Sequence, residues 1–133
     1  MKRIVPVLLC GFALYAQVAK DANERYQTPE GRAAVAKGLG ASNRDERQKP
    51  VELVRAMDLR AGMAVADIGT GVGYMLPFLS QAVGARGCVF AEDIFDDFLN
   101  QAKAHAAEEK LTNVQFVKGT VPPIQPFTCK SKK

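Results

Sequence analysis

Asp67, Gly69, Gly71 and Gly73 stand on alternate positions of the segment Val65-Ala-Asp-Ile-Gly-Thr-Gly-Val-Gly-Tyr74, and Asp93 follows about twenty residues beyond the last glycine. Glycines in that pattern let the chain turn sharply and bring its backbone close to a ligand. The elements needed to position them are legible on either side. Residues 63–68 form a short apolar run of the kind that makes a buried parallel strand, and Tyr74 to Val83 reads as an amphipathic helix whose N-terminus faces the ligand. Strand, glycine loop and helix together make a site for a nucleotide-like small molecule. Spacing narrows the choice. A dinucleotide fingerprint, G-x-G-x-x-G, counted from Gly69 requires glycine at position 74, where this chain has Tyr74.

The D-x-G-x-G-x-G form resembles the first motif of class I S-adenosylmethionine-dependent methyltransferases. The likeness runs over roughly residues 48 to 120. Leu59-Arg-Ala-Gly-Met63 resembles the helix-to-strand turn before the glycine loop, and Val89-Phe-Ala-Glu-Asp-Ile94 resembles the second strand. Asn113-Val-Gln-Phe-Val-Lys-Gly-Thr120 resembles the third strand, with Thr120 where many members have aspartate. The resemblance implies that S-adenosyl-L-methionine is the cofactor. Gly69, Gly71 and Gly73 would then approach its methionine portion, Asp67 would engage its ammonium group, and Asp93, with Glu92 as the rival, would accept hydrogen bonds from the ribose hydroxyls. No catalytic base and no methyl acceptor can be named from these motifs.

The 133 residues fall into four stretches of different character. Residues 1–19 begin with Lys2 and Arg3 and continue as an uncharged, mostly apolar run, which reads as a signal peptide and implies export to a secreted or periplasmic location, with the cytoplasm as the alternative. Residues 20–49 read as a linker with a short helix. Thr28-Pro-Glu30 starts that helix, Gly38 and Gly40 end it, and Ala41 to Lys49 is a charged connection. Pro50 opens a further helix with Leu53, Val54 and Met57 on one face. Residues 50–120 are expected to hold the cofactor-binding unit: strand 63–68, helix from about 73 to 83, strand 88–94, helix 96–110 and strand 114–118. That order predicts an α/β, Rossmann-like, doubly wound parallel sheet, incomplete at about three strands, with right-handed crossovers. His105, the single histidine, is expected on a helix surface away from the glycine loop.

Residues 121–133 are expected to be an irregular tail, because three prolines fall within residues 121–126. The resemblance implies further strands beyond this point, so the pattern reads as a truncated domain whose Asp67 strand is an exposed edge open to self-association. The alternatives to a methyltransferase are a non-catalytic half-domain that binds cofactor or a partner chain, and a nicotinamide-dependent oxidoreductase.

Composition excludes other classes. The formal net charge of +4 comes from the ends, where Lys2, Arg3, Lys130, Lys132 and Lys133 lie, so the stretch between them is nearly neutral and no nucleic-acid partner is expected. The cysteines at 10, 88 and 129 form no C-x-x-C pair, and no histidine-carboxylate cluster suggests a metal.

Overall fold

The structure is a computed structural model that describes residues 23–120 and 127–129. The expected signal peptide at 1–19, and most of the tail, lie outside the described residues. Contacts divide the chain into two units, Met1–Val35 and Ala36–Lys133. Within the first, the Thr28 hydroxyl accepts a hydrogen bond from the Gly31 amide at 3.1 Å, as an N-cap should. Helix α1 spans Pro29–Leu39 and starts with proline in its first turn. Gly38 does not end it, as the sequence suggested; the helix runs one residue further, and the Gly40 amide still bonds the Ala36 carbonyl at 3.1 Å.

The expected charged connection contains a five-residue helix, α2, at Arg44–Gln48. Lys49, at φ +47, separates it from α3, Pro50–Ala56. Only one residue of the expected α3 face is buried. Val54 joins the core, whereas Leu53 and Met57 are 51% and 44% exposed. The buried line of this seven-residue helix runs through Pro50 and Val54, one turn apart, so Leu53 and Met57 fall off it.

Three parallel strands follow, β1 (Ala64–Ile68), β2 (Cys88–Asp93) and β3 (Val114–Lys118), in the order β1-β2-β3. Their register pairs Asp67 with Ala91 and Ala91 with Phe116. Helix α4 (Leu76–Val83) links the first two strands and α5 (Asp96–Glu108) the second two. Side chains alternate across a strand, so Val89 and Ala91 share a face. That face packs against Val54, Leu76, Leu79, Val83, Ala102 and Ala106, which form one core. The inward residues expected on α5, Phe98, Leu99, Ala102 and Ala106, are all buried. A polar pin joins α4 to the start of β3: Ser80 donates to Asn113 Oδ1 at 2.6 Å, and Asn113 Nδ2 returns bonds to the carbonyls of Ser80 and Gly84.

Helix α4 begins later than the sequence suggested. Residues 70–75 form turns, with bonds from Gly73 to the Thr70 carbonyl and from Leu76 to the Gly73 carbonyl. Tyr74 therefore belongs to the loop. Pro77 consequently falls in the first helical turn, where its missing N–H breaks no intrahelical bond.

Strand β1 is an edge of the described sheet, with alternating burial and with Ile68 57% exposed. The face of β2 away from the helices carries Cys88 and Phe90. The Phe127 ring lies 5.1 Å from that of Phe90, and Cys129 reaches the Cys88 thiol.

Candidate functional site

The carboxyl end of β2 holds the glycine loop through its backbone. The amides of Gly69 and Thr70 both donate to the Glu92 carbonyl at 2.9 Å, and the Gly71 amide donates to Asp93 Oδ2 at 2.9 Å. Three consecutive amides are thus fixed by two consecutive residues of the neighbouring strand. Parallel pairing in this register makes that possible, since Ile68 lies opposite Glu92 and the loop leaves β1 at the point where β2 ends.

The three loop glycines have φ of +74, +56 and +81, a region that disfavours other residues. Their surroundings differ. A Cβ on Gly73 would lie 2.9 Å from Leu76 Cδ1 and 3.1 Å from Ala102, so this glycine lets α5 pack against the loop. One on Gly71 would lie 3.1 Å from Leu39 Cδ1. One on Gly69 would meet nothing within 4 Å. Of the three positions expected to approach a ligand, Gly69 alone has open space in the Cβ direction; protein atoms occupy it at the other two.

Both sequence-expected acids lie at this loop. Asp67 Oδ2 accepts a bond from the Thr70 hydroxyl at 2.8 Å. Burial pushes its carboxyl above the ordinary carboxylate range, while the Thr70 bond and the Arg44 charge pull the other way. Asp93 is only 5% exposed, and besides Gly71 it accepts from the Phe95 amide through Oδ1 at 3.0 Å. Each of its oxygens keeps a further lone pair for another donor. The rival acid faces elsewhere: Glu92 sits one residue earlier and so on the opposite face, with its carboxylate against Gly119.

The structure also brings in residues that sequence reasoning missed. His105 is not remote from the loop; its Nδ1 lies 3.2 Å from the Gly73 carbonyl. A hydrogen bond there requires the proton on Nδ1. Crossing of α5 behind the loop, which also presses Ala102 on Gly73, brings the imidazole to that carbonyl. Arg44 lies over the Tyr74 ring, 3.8 Å from its centre, and the Tyr74 hydroxyl donates to Asp45 at 2.7 Å. Burial lowers the Arg44 guanidinium from its ordinary value, against the attraction of Tyr74, Asp67 and Asp45. The run of charges around Arg44 and Asp45 is the available signal, and by sequence it reads only as a charged connection. An open cleft of about 510 Å³, lined in part by Leu39, Asp45, Val72, Tyr74, Gln101 and His105, borders this cluster. Its volume falls within the ordinary range for small-molecule sites. Among the described residues no group of three metal-ligating side chains converges, and no helix is long and apolar enough to cross a membrane.

Parallel strands joined by helices, with a glycine loop at the carboxyl edge and acids at or next to the ends of the first two strands, define a fold of the Rossmann-like class. A family model described as a methyltransferase domain matches residues 65–131, half of the chain. The chain belongs to the methyltransferase-domain family. It is 32% identical over 68 residues to a demethylmenaquinone methyltransferase of Shouchella clausii, covering 51% of this chain and 29% of that protein. It is 29% identical over 63 residues to a protein-L-isoaspartate O-methyltransferase of Methanothrix thermoacetophila, covering 47% of this chain and 30% of that one. Among solved structures, a SAM-dependent methyltransferase from Aquifex aeolicus aligns with a TM-score of 0.62 and 34% identity, over 65% of this chain and 46% of that one. The chain therefore spans under a third of the length of these curated relatives.

Proposed function

We propose that this chain binds S-adenosylmethionine across the carboxyl ends of β1 and β2 and acts as the cofactor-binding part of a methyltransferase. The observation that carries the reading is the loop clamp: the bonds from Gly69, Thr70 and Gly71 to the end of β2 preorganise a cradle with open space at Gly69. Asp67 has an oxygen not used by Thr70 for the ammonium group, and Asp93 has lone pairs for the ribose hydroxyls. When bound, the cofactor supplies a sulfonium methyl already activated for attack by a nucleophile. The task left to the protein is positioning and exclusion of water, which a rigid loop serves.

Calorimetric titration with S-adenosylhomocysteine and with NAD tests the proposal. Binding of the first and not the second is expected, since Tyr74 occupies the position of a dinucleotide fingerprint glycine. Preference for NAD would overturn it.

A second reading has support of its own in the exposed β1 edge. Ile68 and the outer backbone of β1, which no strand pairs among the described residues, fit a unit that associates with another chain through this edge. In this reading the purified chain self-associates and gives no methyl transfer alone. Light scattering of the wild type and of Ile68→Lys is the test; a monomeric wild type would rule it out. Export remains part of the proposal on the strength of residues 1–19, and N-terminal sequencing of protein recovered from its host would decide it.

A further inference from the structure

Arg44 presents its guanidinium in a way that its surroundings do not use up. Nη1 donates to the Leu39 carbonyl at 2.6 Å, the group lies over the Tyr74 ring, and Nε is buried with no hydrogen-bond partner among the described residues. A guanidinium has five N–H donors in a planar fork; with Nε sealed from solvent and one Nη1 donor on Leu39, the donors left for a ligand are those of the two Nη atoms. Arg44 and Asp67 are near enough for each charge to favour the other, yet among the described residues no ion pair within 4.0 Å joins them. Other groups hold the nearby acids. Asp45 takes the Tyr74 hydroxyl through Oδ1, and Asp67 takes the Thr70 hydroxyl through Oδ2.

A cation and an anion kept apart beside a ligand loop are complementary to a molecule carrying both charges a few bonds from each other. An α-amino acid end, ammonium and carboxylate on one carbon, has that form. Asp67 can receive only the ammonium, which leaves Arg44 for the carboxylate.

We infer that Arg44 is the carboxylate-binding residue for the amino-acid end of the cofactor, with Tyr74 and Asp45 positioning its guanidinium. The inference rests on the proposed reading of the glycine loop as an S-adenosylmethionine site. The Tyr74 ring fixes the plane of the fork, and the 2.7 Å bond to Asp45 fixes the ring. A fork held in plane can pair with both carboxylate oxygens at once. It also ties α2, which precedes the strand-and-helix unit, to occupancy of the site.

The test compares S-adenosylhomocysteine with 5′-methylthioadenosine, which keeps the adenine, ribose and thioether sulfur but lacks the amino-acid end. Both are titrated calorimetrically into the full chain and into Arg44→Gln and Arg44→Lys variants, with thermal melts as a folding control. Arg44→Gln is expected to weaken S-adenosylhomocysteine by roughly 10- to 100-fold, the size typical of a lost hydrogen-bonded charge contact, while 5′-methylthioadenosine changes less than about twofold. Arg44→Lys, which keeps the charge without the fork, is expected to fall between wild type and Arg44→Gln for the first ligand only. Should Arg44→Gln fail to fold, the lysine variant decides: a selective loss supports the inference. Parallel weakening of both ligands would show that Arg44 merely supports the fold, and unchanged affinity for both would remove it from the site; either result overturns the inference. A wild-type chain that binds neither ligand overturns the proposed function, and this inference with it.

Discussion

Asp93 Oδ2 accepts the Gly71 amide proton at 2.9 Å, across 22 residues of sequence. The acid expected to hold a ribose is therefore also the peg on which the glycine loop hangs. Since Oδ1 takes the Phe95 amide at 3.0 Å, one carboxylate organises both the loop and the start of α5.

Asp93→Asn should consequently damage the apo protein, beyond any effect on a ligand. An amide has one acceptor oxygen, so one of the two backbone N–H groups would face an NH₂ donor. A cost of about 1–3 kcal/mol is expected for a buried donor left unsatisfied, measured as a lower denaturant midpoint without ligand. An unchanged midpoint would show that these two bonds do not hold the loop.

The glycines should separate by position. Gly73→Ala combines a positive φ with contact against Leu76 and Ala102, so strain of about 1–2 kcal/mol and overpacking of about 1–3 kcal/mol both apply. Gly69→Ala carries the backbone strain alone, because its Cβ direction is open. Thermal melts should therefore rank Gly73→Ala as the less stable. In the proposed function Gly69→Ala should reduce S-adenosylhomocysteine affinity out of proportion to its stability loss, and calorimetry checks that ratio.

Acidification should act on Asp67 in a defined sense. Burial raises its folded-state pKa above that of the unfolded chain, so the folded protein holds this proton more tightly. The stability from this group is fully present below the unfolded pKa and is lost as pH rises through the raised folded value. Asp67→Asn should therefore stabilise the ligand-free chain at neutral pH and flatten this part of its pH–stability curve. Affinity for an ammonium-bearing ligand should move oppositely in the wild type, falling as pH drops through the same raised value. Melting and calorimetric pH series on the two proteins measure both trends.

Cys88 should be a slow thiol. Burial first, and then the neighbouring Cys129, push its pKa up to about 11, so little thiolate exists near neutral pH. Cys129 is exposed. Iodoacetamide at pH 8 should label Cys129 well before Cys88, with denaturant abolishing the difference, as peptide mass mapping would show. Equal labelling in the folded chain would mean that Phe127 and Cys129 do not cover this face of the sheet.

Local pattern alone determined much of this protein. The apolar run before Asp67, the glycines at 69, 71 and 73 and the inward stripe of α5 are short-range signals, because strand and helix periods repeat within a few residues. They specified the order of strands and helices and placed Asp67 and Asp93 at strand ends. Pattern could not decide which of Glu92 and Asp93 faces the loop, since alternation assigns a face only after the strand is set against its neighbours. Nor could it show that Gly73 makes room for Ala102, that His105 reaches the Gly73 carbonyl, or that Arg44 covers Tyr74. Those relationships join residues about thirty positions apart, and their geometry follows from how α5 crosses the sheet and where the segment before β1 comes to rest. Packing settles such distances, and it is expressed only in the tertiary structure.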